Sequence, residues 1–260
     1  MADKPTRDIG NSMRIAVVTP SYQTKTEWIE KCIASVANQT YRNVFHVIVS
    51  DGCGSQAIEQ FPDVEFIALP KNIGDYGDTP RSLGSIYALA KGADAIAYLD
   101  ADNWYDPEHL ESLIKLHRST GADVVTSYRL LVQLDGQPLG VCPHSDGIAF
   151  SDTSCMLFTK AASEVATSWW TIPKAYHALD DRVIWDRVIK NNHSISCTRN
   201  ATMCYRTAFE HHYRMFDTAP PKESKLGMPI WRLRNTVLDL HNRARQLAPP
   251  LYIDEEKSDT

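Results

Sequence analysis

The stretch AIAYLDADNWYDPEHL, residues 95–110, ends an apolar run on two carboxylates one residue apart, Asp100 and Asp102. On an extended chain, side chains two residues apart point the same way, so this pair can aim both carboxylates into one crevice. Two anions that close repel unless a positive charge lies between or in front of them. A divalent cation carrying a diphosphate meets that need. Mg²⁺ and Mn²⁺ take hard oxygen ligands, and Mg²⁺ commonly combines one or two carboxylates with substrate phosphates. A bare Asp-x-Asp is also the signature of many solvated turns, so its surroundings decide its meaning.

A second acidic cluster stands in HALDDRVIWDRVIKNN. With residues 179–190 helical, Asp181 shares a face with Ile184, Trp185 and Val188, at spacings of three, four and seven. Partial burial on that face would raise its pKa and suit it to accept a proton, while the nearby helix N-terminus pulls the other way. The structural alternative makes Asp180 an N-cap and Asp181 a partner of the helix dipole.

The elements that must position these groups follow from apolar periodicity. MRIAVVTPSY predicts a strand halted by Pro20, followed by a helix burying Ile29, Cys32, Ile33 and Val36. VFHVIVSDG and VEFIALP predict two more strands. Leu83, Ile86, Tyr87 and Ala90 mark the buried face of a further helix, capped by Gly92. After the strand that runs into Asp100, Asp106 is expected as N-cap and Pro107 as first-turn residue of a helix that buries Leu110, Leu113 and Ile114. Alternating strands and helices imply a largely parallel sheet, whose ligands gather at the strands' carboxyl ends. Pro20-Ser21, Asp51 and Asp100-Ala101-Asp102 all fall there. From residue 128 the pattern changes to a hairpin around Asp135-Gly136 and a mixed, antiparallel half.

These motifs, in this order, resemble glycosyltransferase family 2, nucleotide-sugar transferases of the GT-A fold. The likeness rests on IAVVTPSYQTKTEWIEKCIASVANQTYRNVFHVIVSDG and on NIGDYGDTPRSLGSIYALAKGADAIAYLDADNWYDPEHLESLI. It is strong over residues 13–127 and weaker over 150–210. The fold it implies is α/β, a Rossmann-like, mostly parallel sheet flanked by helices with a mixed acceptor-side half. The domains it implies are a catalytic domain over 13–216, divided near 127 into nucleotide and acceptor halves, between a flexible 1–12 and a C-terminal segment 217–260.

By the same resemblance, Pro20, Ser21, Tyr22 and Asp51 contact the base and ribose of a nucleoside diphosphate, and Arg81 lies by base or phosphate. Asp100, with Ala101, touches ribose or metal, and Asp102 holds Mn²⁺ or Mg²⁺. HALDD resembles the family's Glu-Asp-x-x-x-Trp element, which makes Asp181 the general base of an inverting transferase and Asp180 the acceptor-side acid. Ser154, in DTSCMLF, and Trp170 are acceptor-side candidates, with Trp169-Trp170 read either as a wall for a sugar or as core. His211 is the candidate late metal ligand. Ser50-Asp51 departs from the family's usual acidic pair, and Cys53-Gly54-Ser55 lacks its acidic end, so the base (uridine, guanosine or thymidine) stays open. For Asp51 and Arg81 the structural alternatives are an Asp-Gly turn and a surface first-turn residue.

The implied partners are a UDP-, GDP- or dTDP-linked sugar and a glycan, lipid-linked or small-molecule acceptor. A sugar-1-phosphate nucleotidyltransferase would need a glycine-rich basic loop after the first strand, and TPSYQTKTEW has no glycine. A non-catalytic nucleotide-sugar or glycan-binding protein is the other alternative. Composition is that of a globular chain, 43% hydrophobic and 23% charged. A net charge of −5 argues against a nucleic-acid partner. No apolar stretch predicts a membrane span and the start lacks a signal-peptide core, so the expected address is cytoplasmic, with the inner membrane face open to peripheral binding. The six cysteines form no C-x-x-C pair and read as reduced thiols. The Asn-x-Ser/Thr matches at Asn38, Asn192 and Asn200 read as chance in that address. The basic amphipathic segment MPIWRLRNTVLDLHNRARQLAPPL predicts a last helix that packs on the domain or on a second copy, forming a homodimer, before a disordered acidic tail.

Overall fold

A computed structural model describes residues 12–52, 58 and 61–226. The readings made for residues 1–11, for Cys53-Gly54-Ser55 and for the C-terminal segment from 227, homodimer surface included, lie outside the described residues. The chain divides into two compact units, Met1–Thr207 and Ala208–Thr260.

In chain order the first unit runs β1 (Ile15–Ser21), α1 (Thr26–Ala37), β2 (Val44–Ser50), β3 (Val64–Ala68), α2 (Asp78–Ala90), β4 (Ala95–Tyr98), β5 (Trp104–Tyr105) and α3 (His109–Thr120). It continues with β6 (Val124–Val132), β7 (Pro138–Val141), β8 (Met156–Thr159), the single turn α4 (Ser163–Ala166), α5 (Asp180–Lys190) and β9 (Ile195–Arg206). The strands form one sheet in the order β3-β2-β1-β4-β8-β6-β9-β5, with β7 also on β6. β3, β2, β1 and β4 are parallel to one another, β8 runs antiparallel to both β4 and β6, and β6 and β9 are parallel. This is the mixed α/β arrangement of the GT-A fold, a parallel half joined through β8 to a mixed half.

β1 and β2 are nearly continuous apolar runs because helices cover both faces of a parallel sheet. Ile15, Val17, Ile48, Ala97 and Leu99 meet Ile29, Cys32, Ile33 and Val36 of α1 and Leu110, Leu113 and Ile114 of α3 in one buried cluster. The hairpin forms where Asp135-Gly136 predicted it, with Gln133 donating its N–H to Gln137 and Gly136 at φ 93°. Gly92, at φ 85°, closes α2. The five cysteines among the described residues are free thiols.

Three local readings are corrected. α2 buries Asp78, Pro80, Arg81, Ser82, Gly84, Ser85 and Ala88, while Leu83 (36% exposed) and Ile86 (45%) point outward. The reason is a close approach of helix to sheet: a Cβ at Gly84 would lie 2.5 Å from Val18 Cγ1, so the inner face must be small. α3 begins at His109 behind Glu108, without a side-chain cap. Asp106 instead uses its carbonyl for Gln39 Nε2 (2.8 Å) and its carboxylate for the Cys204 thiol. Finally, β4 ends at Tyr98, and Asp100-Ala101-Asp102 is a turn closed by Asn103 N–H to Asp100 C=O at 2.9 Å. The extended-chain argument for paired carboxylates therefore fails, although both residues reach the same cleft.

In the second unit, α6 (Glu210–Arg214) follows a one-residue parallel bridge of Phe209 with Lys225. The expected domain end at 216 falls inside this unit.

Candidate active site

The carboxyl ends of β1, β2 and β4 lie side by side, Ser21 opposite Ser50 and Val18 opposite Tyr98. Above them opens a cleft of about 760 Å³ whose lining includes every donor-side residue read from the sequence: Pro20, Ser21, Tyr22, Asp51, Arg81, Asp100, Ala101 and Asp102. Ala101 is itself buried, and Tyr22 is exposed at the rim.

Asp51 is more than a turn residue. Its carboxylate accepts the Ile73 N–H (2.8 Å), the Gly74 N–H (3.2 Å) and Asn72 Nδ2 (2.8 Å), so it pins the loop after β3 against the cleft. The same closeness fixes its neighbour: Gly52 sits at φ 77°, and a Cβ there would lie 2.0 Å from the Asn72 nitrogen.

Arg81 is buried and not a surface residue. Its guanidinium bridges Asp100 Oδ1 (Nη2, 2.7 Å) and Asp180 Oδ2 (Nη1, 3.0 Å), donates to the Tyr76 carbonyl and lies over the Trp169 ring. It thus joins the cleft to the start of α5. Trp169 is core: its indole N–H donates to the Tyr98 hydroxyl, which donates to the Ala166 carbonyl. Trp170, by contrast, is 63% exposed and does not line the cleft. Ser154 is fully buried and accepts the Asp100 N–H at 3.1 Å, so it supports the Asp100 turn from behind and offers no surface to an acceptor.

The two acids singled out for chemistry are both perturbed. Burial pushes the Asp102 carboxyl up to about 7, with the Asp100 charge adding to it and the Arg206 guanidinium opposing it. Burial likewise raises Asp181 to about 7, helped by the charges of Asp180 and Asp152 and opposed by Arg182 and Arg129. Asp180 lies inside the first turn of α5, where Leu179 is the N-cap. Its Oδ1 accepts the Asp181 N–H at 2.7 Å.

Asp100 and Asp102 supply hard oxygen donors of the kind a magnesium- or manganese-bound diphosphate uses, and among the described residues no side-chain donor is hydrogen-bonded to the Asp102 carboxylate. That chemistry fits a divalent ion completed by substrate oxygens. No group of three or more His, Cys, Asp or Glu among the described residues could hold a metal by itself. His211 belongs to the second unit, its ring 4.1 Å from that of His212.

Sequence reasoning missed five residues. Asp152 caps a one-turn 3-10 helix through Ser154 N–H and pairs with Arg129 at 2.5 Å, a buried ion pair beside both acids. Arg206 lies against the rings of Trp28 and Trp104 and donates to the Asp102 carbonyl. Asp78 Oδ2 pairs with His177 Nδ1 at 2.5 Å. Arg129, Asp152 and Arg206 carry no local pattern that marks them. For Asp78, the signal was available: an acid three residues before the arginine on what must be the sheet-facing side of α2.

Comparison with known proteins agrees with this geometry. The sequence model described as "Glycosyl transferase family 2" matches residues 16–178, and the chain belongs to that family. EpsH of Bacillus subtilis (strain 168) is 27% identical over 108 residues, 39% of this chain and 29% of that protein. The glycosyltransferase GlyA of Streptococcus pneumoniae serotype 4 is 24% identical over 117 residues, 43% of this chain and 16% of that protein. The chain therefore spans well under half the length of these relatives. The crystal structure of S. aureus TarS residues 1–349 with UDP superposes with a TM-score of 0.58 at 17% identity, over 78% of this chain and 63% of that one. The same protein with UDP-GlcNAc gives 0.56 at 16% identity, over 78% and 64%. No described helix is long and apolar enough to cross a membrane.

Proposed function

We propose that this protein is an inverting, metal-dependent glycosyltransferase that moves a sugar from a nucleoside-diphosphate donor to an acceptor hydroxyl. The observation that carries the reading is the meeting, through Arg81, of two carboxylate groups: Asp100 in a cleft at the strand ends and Asp180, next to the perturbed Asp181. The cleft suits a nucleotide, and the solved TarS complexes hold UDP and UDP-GlcNAc, so UDP-GlcNAc is the first donor to test.

Asp181 acts as general base. A carboxylate with a pKa near neutrality accepts a proton better than an ordinary aspartate yet is ionised in a large fraction of molecules. It takes the proton of the acceptor hydroxyl as that oxygen bonds to the anomeric carbon, and the bond from that carbon to the diphosphate breaks on the opposite face. Asp102, with Asp100, would hold Mn²⁺ or Mg²⁺, whose charge offsets the negative charge that grows on the departing diphosphate. Asp51 and the loop it pins shape the wall toward base and ribose. Arg81 keeps Asp100 and Asp180 at a fixed separation.

Calorimetric titration of UDP, GDP and dTDP, each with Mn²⁺ and with EDTA, tests the donor side. Binding of one nucleotide that needs the metal and is weakened in Asp102→Asn is the expected result. Equal binding in EDTA, or in the mutant, would remove the metal role.

A further inference from the structure

Two loops at the cleft, between β1 and α1 and between β3 and α2, each hold a residue other than glycine in the left-handed region: Gln23 at φ 46° and Tyr76 at φ 60°. A residue with a Cβ is disfavoured there and persists only where its surroundings fix it. Gly74 and Gly77, before and after Tyr76, reach positive φ without that cost. Tyr76 is fixed from both sides. Arg81 Nη1 donates to its carbonyl at 3.1 Å, and the carboxylate of buried Asp75 accepts the Gly77 N–H at 3.3 Å and the Thr79 N–H at 2.9 Å. A Cβ at Gly77 would lie 3.0 Å from Pro20 Cβ, so this turn meets the end of β1. Tyr22 stands two residues past that meeting point and Tyr76 one residue before it, and both line the cleft. Neither is core: Tyr76 is 71% exposed and Tyr22 49%. A lone exposed tyrosine on an open surface needs no explanation. One held out from strained, braced backbone at a cleft of about 760 Å³ does.

We propose that Tyr76 is a binding residue of the donor site, its ring forming with Tyr22 the aromatic rim on which the nucleobase stacks. The proposal rests on the reading of the cleft as a nucleotide site and adds to it the group that holds the base. In the sheet, β2 lies on one side of β1 and β4 on the other. The loop pinned by Asp51 and the turn carrying Asp102 therefore flank the end of β1 from opposite sides. A nucleotide whose diphosphate lies at Asp102 extends its base toward the Asp51 side, where the loop carrying Tyr76 runs. Asp51 already accepts three donors from residues 72–74, so this side offers rings more than free acceptors. Every nucleobase has a π face, and an aromatic side chain holds it by that face without reading its edge. The strained backbone of Tyr76 is thus the cost of presenting a ring to the ligand and not to the core.

Calorimetric titration of UDP, GDP, dTDP and inorganic pyrophosphate with Mn²⁺, into wild type and three variants, separates the ring from its backbone. Tyr76→Ala keeps the strained backbone and removes the ring, Tyr76→Gly removes ring and strain together, and Tyr76→Phe keeps the ring. The nucleotide that binds wild type should bind about 5–100-fold more weakly to Tyr76→Ala and Tyr76→Gly, the worth of one base stacked on an aromatic ring. Tyr76→Phe should stay within about twofold of wild type, and pyrophosphate, which has no base, should bind all four proteins within about twofold. Wild-type nucleotide affinity in Tyr76→Ala overturns the proposal. So does recovery of affinity in Tyr76→Gly alone, which would put the effect in the backbone, and so does a parallel loss of pyrophosphate, which would mean damage to the whole cleft. If wild type binds none of the three nucleotides, the donor reading itself falls and the proposal with it. Nucleotide binding that ignores Tyr76 removes the proposal and leaves that reading standing.

Discussion

The floor of the cleft and the start of α5 use aspartates in opposite ways. At the cleft floor, Asp51 receives three donors from its own chain and serves as a pin for the loop over β3. At Asp181 and at Asp102, each beside another carboxylate, the acids draw few donors and are driven toward neutrality by burial. A carboxylate whose acceptor sites are filled by backbone shapes a site. One left short of donors is free to receive a cation, a proton or a substrate hydroxyl.

Substitutions should separate the two kinds. Asp181→Asn should lower turnover by about 10²–10⁴-fold and leave UDP affinity within about twofold, read by steady-state kinetics beside calorimetry. Loss of binding and turnover together would move Asp181 to the donor side. Asp102→Asn should weaken metal-dependent UDP binding by about 10–100-fold, the worth of one charged contact.

The pin should show itself in stability and not in chemistry. Gly52→Ala, which forces a side chain onto the Asn72 backbone at a positive φ, should cost about 1–3 kcal/mol and lower Tm. An unchanged Tm would mean that the loop is not clamped as described.

The smallest effect is one of pH, and its sign is opposite to that of a salt bridge. Asp102 and Asp181 have folded pKa values of about 7, above the unfolded value, so the folded state binds their protons more tightly. Stability from this source is complete below the unfolded pKa and is lost as pH rises toward and through about 7. At pH 8, Asp181→Asn should therefore raise stability by on the order of 1 kcal/mol, a Tm gain of about 2–4 °C, and that gain should disappear in acid. Turnover of the wild type should rise through the same interval as the base ionises.

Much of this was legible in the chain. The apolar runs IAVV and VIV and the spacing of Ile29, Cys32, Ile33 and Val36 announce strand and helix because their burial is repeated locally. The donor-side residues fall where parallel strands end. The path of Asp100-Ala101-Asp102 was not legible, since periodicity continues into a turn without a mark until Asn103 closes it. The inner face of α2 was misjudged for a definite reason: Leu83 and Ile86 are the bulkier residues, but the approach at Gly84 reserves that face for small ones. The partners Arg129–Asp152 and Asp78–His177 join residues 23 and 99 positions apart, and sequence spacing alone has no access to such pairs.

β6 keeps β9 along one edge while its other edge passes from β8 to β7. Its parallel partner arrives only after residues 133–194, the very segment that carries Asp152, His177, Asp180 and Asp181. A growing chain can lay β1, β2 and β4 together early, from contacts near in sequence, but β6 must wait with an open edge until Ile195–Arg206 is made. The segment between β6 and β9 is thus framed only when β9 arrives, and slow or interrupted synthesis before that point would leave β6 with an unpaired edge prone to association.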